Sequence, residues 1–348
     1  MTTLSVIGNP ANRRVTMFVR AALDAGLPPP RVYAWRDVLR GGPLPGPGEV
    51  VRIDSAGEDA EVDRLLRGAP AEAEHGEIIG GAAAYAGLAA ALHRVEAAGA
   101  TLLNAPDDIL TMSDKRRCHA LLSARGVPVP PALPAVTGYD SLRAAMRSAG
   151  WGRVFVKPAH GSSASGVLAL TAAPGRVEAV TSVERAPGGR LFNNLTIRRY
   201  DREADVAAIV DALAGDGLHV ERWFPKAGVD GRTIDLRVVV IAGEPRHVVV
   251  RASRSPLTNL HLGNARGDVA RVRGLAGTRA WDAAMETCAR VGAAFPRTLM
   301  AGVDLMFGSR WERYAVAEVN AFGDLLPGVL DRGEDTYTAQ IRAALCAV

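Results

Sequence analysis

Gly302-Val-Asp304-Leu-Met-Phe307, followed six residues later by Tyr314-Ala-Val-Ala-Glu318-Val-Asn320, reads as a β-hairpin with an ionic face. Residues two apart in a strand share a face, so Glu318 and Asn320 point one way and Ala317 and Val319 the other. With the turn centred near 309–313, antiparallel pairing sets Asp304 across from Glu318 and beside Asn320. Cross-strand neighbours hold their Cβ atoms about 4.5–5.5 Å apart. Two carboxylates and an amide oxygen at that spacing repel unless a cation sits between them, and hard oxygen ligands select Mg²⁺ or Mn²⁺. The apolar Val303, Leu305, Ala315 and Val319 make the hairpin central and favour the metal. An exposed polar face on an edge hairpin is the competing reading.

Upstream, Thr233-Ile-Asp235-Leu-Arg237 puts Asp235 and Arg237 on one face of a strand whose other face is Ile234, Leu236 and Val238. It heads a second hairpin turning around 243–245, and Arg251 and Arg254 on the return strand and loop add positive charge. Further upstream, Arg153-Val-Phe-Val-Lys157 is an apolar strand that delivers a lysine into a loop of small residues, Gly161-Ser162-Ser163-Ala164-Ser165-Gly166. Backbone N–H groups of such a loop can approach an anion closely. A solvated lysine beside an ordinary Gly/Ser loop remains the alternative. No Gly-Lys-Ser/Thr follows, so this is not a Walker loop, and no Gly-x-Ser-x-Gly elbow occurs anywhere. His160, within the loop, is the one histidine in a candidate site.

The N-terminal third alternates differently. Strands at 3–8, 31–35 and 50–53 are separated by helical patterns at 12–25 and up to about 67, which indicates a small parallel α/β domain ending near Leu103. A helix over 114–124 ends at Gly126-Val-Pro-Val-Pro-Pro131. Further helices are expected at 205–213, 278–294 and from 336.

Composition excludes several classes. The 348 residues carry 41 Lys+Arg against 37 Asp+Glu, a net charge of +4, with 48% hydrophobic and 22% charged residues, so the chain can bury sizeable cores. Basic residues are interspersed with acidic ones, which argues against a nucleic-acid binder. The longest uncharged stretch, Ile78 to His93, falls short of the ~20 apolar residues that span a bilayer. Met1 to Pro10 has no basic region before an apolar run, so no signal peptide is expected. Cys118, Cys288 and Cys346 lack metal or disulfide spacing, which fits a reducing cytoplasm. Only Lys115, Lys157 and Lys226 are lysines, against 38 arginines. In so arginine-biased a chain, a retained lysine marks a place for a compact ammonium group.

Taken in order, these segments resemble the ATP-grasp superfamily, especially its glutathione-synthetase-like and ribosomal-protein glutamate-ligase-like branch. The resemblance runs from Asn104 to about Gly328. Asn104 with Asp114-Lys115 and Gly126-Val-Pro-Val-Pro is similar to the family's Asn…Asp-Lys helix and Gly-x-Pro-x-Pro turn, which implies that Lys115 reaches ATP phosphate. Lys157 with Gly161, Ser162, Ser163 and Gly166 is similar to its second phosphate lysine and glycine-rich lid. Glu221-Arg-Trp223-Phe224-Pro looks like the adenine hinge, with Glu221 accepting from the adenine amine and Trp223 and Phe224 offering backbone groups. By the same resemblance Asp235 is the ribose acid, Arg237 lies near the acyl-phosphate, Asn259 opens the Asn-Leu-x-x-Gly segment, and Asp304, Glu318 and Asn320 are the magnesium ligands. Ala164, Leu257 and Asn264 depart from the usual pattern, and Arg254 is a candidate replacement for the arginine absent at 257.

The resemblance implies an N-terminal parallel α/β pre-ATP-grasp domain (1–103), a small ATP-grasp lobe with the lid (104–217), and a C-terminal lobe with hinge and metal site (218–348), clamping nucleotide between two antiparallel sheets. It implies a cytoplasmic, ATP- and Mg²⁺-dependent carboxylate–amine ligase, with Mn²⁺ as a substitute metal, working through an acyl-phosphate with Arg237, Arg251 and Arg254 at the reacting groups. A phosphotransferase to a hydroxyl and a nucleotide-binding regulator without turnover remain open. Partners are then small-molecule or peptide carboxylates and amines, with no nucleic acid or membrane, and homodimer formation is left open. Gly8, Asn9, Arg13 and Arg52 at carboxyl ends of N-terminal strands are expected to border the substrate cleft.

Overall fold

The computed structural model describes residues 3–161, 164–323 and 325–347. Three sheets organise the chain. The first is fully parallel, with strands in the spatial order Arg31–Ala34, Thr3–Gly8, Glu49–Ile53, Thr101–Leu102. Its helices begin where the sequence supplies caps: the Asn12 side chain accepts from Arg14 N–H to start Arg13–Asp24, and Asp59 accepts from Val62 N–H to start Ala60–Arg67. The uncharged stretch near residue 80 becomes the helix Gly81–Ala97, with Leu92 and Val95 fully buried. The C-terminal helix Thr336–Ala347 returns to this domain, where Tyr337 and Ile341 pack against Val6, Val15 and Phe18.

The second sheet is antiparallel, ordered Leu191–Tyr200, Arg176–Arg185, Leu168–Ala173, Arg153–Pro158, Leu218–Arg222. Helices Tyr139–Ala149 and Glu203–Ala214 cover one face, burying Leu142, Met146, Ile209 and Leu213 on Val154, Val156, Leu168 and Leu170. Strand Leu218–Arg222 completes this sheet, so the lobe draws on the chain beyond residue 217.

The third sheet, also antiparallel, is ordered Ala265–Gly267, Glu244–Ser253, Arg232–Ile241, Met300–Phe307, Tyr314–Asn320. Ile234, Leu236 and Val238 face a core shared with Trp281, Cys288 and Val291 of the helix Thr278–Ala294. Period-two alternation therefore frees the opposite face, with Asp235 and Arg237, to look away from that core. Between the sheets, Asp114 ends the helix Pro106–Ser113 and caps Lys115–Ala124 by accepting from the Arg116 and Arg117 N–H groups. This tight double use fixes where Lys115 emerges. Among the described residues, no helix is long and apolar enough to cross a membrane.

Candidate functional site

A cleft open to solvent runs between the second and third sheets. All three lysines of the chain, Lys115, Lys157 and Lys226, line it, together with Glu221, Asp235, Arg251, Asp304 and Glu318. The second sheet contributes Phe155 and Lys157, two residues apart and hence on one face, and the third sheet contributes Met306, Ala317 and Glu318. The loop after Ser253 closes one end with Pro256, Leu257, Thr258 and Asn259.

The hairpin register sets Asp304 opposite Glu318, and Asn320 opposite Gly302, two residues along. Asp304 pairs with Glu318 but Leu305 with Val316, so a bulge leaves Ala317 of the partner strand unpaired next to Glu318. Asp304 is 5% exposed and held from two sides: Arg251 Nη2 lies 3.1 Å from Oδ2, and Arg237 Nε lies 2.6 Å from Oδ1. The second contact is an ion pair out of line for a hydrogen bond, so Asp304 Oδ1 is buried with no hydrogen-bond donor among the described residues. Asn320 donates its amide N–H to the Gly302 carbonyl at 3.4 Å, which commits its nitrogen to the protein and leaves its oxygen available as an acceptor. Two carboxylates and an amide on one hairpin, one carboxylate oxygen lacking a donor, fit a hard divalent cation. No group of three or more His, Cys, Asp or Glu of metal-binding geometry occurs among the described residues.

Lysines neutralise the remaining acids. Lys115 Nζ lies 3.4 Å from Glu318 Oε1 and donates to the Gly161 carbonyl at 2.7 Å, tying the root of the small-residue loop to the hairpin. Burial would raise the Glu318 carboxyl, but Lys115, Lys157 and Arg237 hold it below the ordinary carboxylate range. Lys157 Nζ lies 2.5 Å from Glu221 Oε1, and His219 Nε2 lies 3.4 Å from Glu221 Oε2. Burial opposes charge on Glu221, yet Lys157 and His219 bring its pKa down to about 2.

Asp235 is 2% exposed, and both its oxygens are occupied. Arg251 Nε donates to Oδ1 at 2.7 Å, Lys226 Nζ to Oδ2 at 3.0 Å, and the Thr258 hydroxyl also donates to Oδ2. Its carboxyl is depressed despite burial, by Arg251 and then Lys226. Lys226, Asp235, Arg251, Asp304 and Arg237 thus form a chain of alternating charges along the cleft wall.

The structure therefore brings together Lys115, Lys157, Glu221, Asp235, Arg251, Asn259, Asp304 and Glu318, with Arg237 and Asn320 adjoining Asp304. Ser162 and Ser163 lie outside the described residues. Gly161 and Gly166 flank the loop, both with positive φ (122° and 72°), conformations that favour glycine. Trp223 packs on Phe155 with ring centroids 4.9 Å apart and under Arg153, and its N–H donates to the Arg153 carbonyl. Neither Trp223 nor Phe224 lines the cleft, and Arg254 is exposed outside it. Gly8, Asn9, Arg13 and Arg52 do not line it either. Gly8 packs against Val15, Asn9 donates to the Ala56 and Gly57 carbonyls, Arg13 is an exposed helix start, and Arg52 is buried against Phe18, Tyr337 and Gln340. Lys226, Phe155, Val167, Thr258 and Met306 were not anticipated. For Lys226 the rarity of lysine, and for Phe155 its period-two spacing from Lys157, were the available signals.

Two lobes of antiparallel sheet gripping a lysine-lined cleft over a carboxylate hairpin define a fold: the chain has the ATP-grasp fold. It is similar to the ATP-grasp ligase PsnB solved with its minimal precursor (TM-score 0.57, 17% identity, 100% of both chains), and to D-cycloserine synthetase DcsG (TM-score 0.59, 17% identity, 98% of both). It is also similar to N5-carboxyaminoimidazole synthase from Aspergillus clavatus in complex with ADP and its ribonucleotide (TM-score 0.55, 15% identity, 99% of this chain and 77% of that one). No protein-family model and no curated protein matches the sequence.

Proposed function

We propose that this protein is an ATP- and Mg²⁺-dependent carboxylate–amine ligase. The observation that carries the reading is the convergence of all three lysines and the Asp304–Glu318 pair on one cleft between two sheets. An ATP-dependent ligase also agrees with the fold's likeness to solved ligases that act on a peptide precursor and on small molecules.

In this reading adenine enters between Phe155 and Val167 on one side and Met306 on the other, with its edge toward Glu221, while Lys115 and Lys157 offset phosphate charge. Glu221 and Asp235, both engaged by cations, set the lysine and arginine positions before nucleotide arrives. Asp304, Glu318 and Asn320 would hold magnesium, which would supply positive charge to offset that of the phosphates. A substrate carboxylate oxygen attacks the γ-phosphorus, ADP leaves, and an acyl-phosphate remains. An amine nitrogen then attacks the carbonyl carbon, the C–O bond to phosphate breaks with its electron pair leaving on inorganic phosphate, and the nitrogen gives up a proton to the departing phosphate, leaving an amide. Arg237 and Arg251 steady the acyl-phosphate oxygens, and Asn259 meets the incoming substrates from the loop. No protein nucleophile is required.

The test is calorimetric binding of AMPPNP with and without Mg²⁺, followed by a coupled screen for ADP release against paired acids and amines. Magnesium-dependent binding, with ADP release only when both partners are present, supports the ligase. Absence of binding by folded protein, or ADP release with a phosphorylated alcohol as product, overturns it.

A further inference from the structure

Arg237 reaches Asp304 through a gap between two glycines. A Cβ on Gly302 would lie 2.7 Å from Arg237 Nη1, and one on Gly323 would lie 2.0 Å from the same atom. The latter is roughly 1.5 Å inside an optimal contact of ~3.5 Å. Neither glycine has a left-handed backbone, so conformation permits a side chain at both, and what each position lacks is room. Within the gap Arg237 Nη1 donates to the Gly323 carbonyl at 3.3 Å and Nε comes to 2.6 Å from Asp304 Oδ1. Arg237 and Asp304 are also register partners on adjacent strands, so pairing brings the side chains together and the gap limits where the guanidinium settles.

We propose that Gly302 and Gly323 are positioning residues: together they form a slot that locks the Arg237 guanidinium onto Asp304 and so sets how that carboxylate meets the cation carried by the nucleotide. The inference rests on the nucleotide-binding reading for one of its two readouts. The slot explains why the chain carries glycine in the middle of a buried strand, at 302, where glycine weakens a sheet. It also makes the two positions unequal. A Cβ on Gly302 meets backbone of Gly323 as well, at 2.8 Å, so its obstruction persists without Arg237. For a Cβ on Gly323, two of the three nearest atoms belong to Arg237 and the third is the Gly302 Cα at 3.0 Å, a contact that asks its neighbour to give by a few tenths of an ångström.

The experiment is a double-mutant cycle of Gly323→Ala with Arg237→Ala, and of Gly302→Ala with Arg237→Ala. It is read by thermal unfolding without ligand and by AMPPNP affinity with and without Mg²⁺. Gly323→Ala is expected to lower the unfolding midpoint and to weaken Mg²⁺-dependent AMPPNP binding about tenfold, with Mg²⁺-free binding changed less than about twofold. In the Arg237→Ala background the same substitution is expected to change both readouts little, whereas Gly302→Ala stays damaging in both backgrounds. Should Gly323→Ala fail to fold while the double variant folds, the slot is supported. Equal damage from Gly323→Ala in both backgrounds, or failure of both proteins to fold, overturns it. If wild type binds no AMPPNP, the ligase reading falls and the unfolding cycle alone decides the slot.

Discussion

Lys157 Nζ stands 2.5 Å from Glu221 Oε1, with both side chains at or below 10% exposure, on adjacent strands of the second sheet. Burial lowers a lysine pKa, but Glu221, then Glu318 and Asp304, hold Lys157 above its usual value, so the pair is fully ionised. A buried pair adds little stability over apolar neighbours, yet removing one partner strands the other.

Lys157→Ala therefore leaves Glu221 as a buried charge and is expected to destabilise the protein by about 3–5 kcal/mol in urea titration, beyond abolishing AMPPNP binding. The double variant Lys157→Met/Glu221→Leu is expected to regain most of that stability without regaining binding.

Asp304→Asn keeps the shape of the hairpin but removes the charge facing Arg237 and Arg251. Calorimetry is expected to show loss of the Mg²⁺-dependent gain in AMPPNP affinity, at least about tenfold or ~1.4 kcal/mol, with Mg²⁺-free binding retained. Retention of the full magnesium effect would remove Asp304 from the metal set.

His219 is 6% exposed, and burial depresses its pKa against the opposing pull of Glu221. The folded protein thus binds that proton less readily than the unfolded chain. The stability His219 contributes is complete above the ordinary histidine value, near 6.5, and is lost as pH falls through its folded value. Urea midpoints from pH 8 to 5 are expected to decline in wild type and to decline less in His219→Gln. A second loss, below about pH 4.5, follows Glu221 as it titrates toward its folded value of about 2.

Arg52 joins the first sheet to the C-terminal helix through Gln340 and the rings of Phe18 and Tyr337. Arg52→Ala is expected to cost about 2–4 kcal/mol of stability while AMPPNP affinity stays within about twofold, separating it from the cleft. A large loss of binding in the folded variant would return Arg52 to the substrate path.

The hairpin carrying Asp304 and Glu318 was legible because strand periodicity and a short turn fix its register, and observed pairing agrees. Three strands of the parallel first sheet were equally open to reading, as short runs between capped helices, whereas the fourth, Thr101–Leu102, is two residues long and carries no periodicity to read. The hairpin 176–185 with 191–200 was not, because Asn193, Asn194, Thr196, Arg198 and Arg199 make its second strand polar, and its ladder rather than its hydrophobicity defines it. At the site, residue types were readable but their partners were not. Asp235 looks like an acid offered to ligand, and only tertiary packing reveals that Arg251, Lys226 and Thr258 already occupy it.

The second sheet's outer strands are an excursion that leaves at Pro158 and returns at Leu218, and these two residues are themselves paired, as are Ala159 N–H and the Gly217 carbonyl just beyond them. Departure and return at a single point make this stretch a closed insertion, so its two ends cannot drift apart without breaking the strand pair that carries Lys157 on one side and Glu221 on the other.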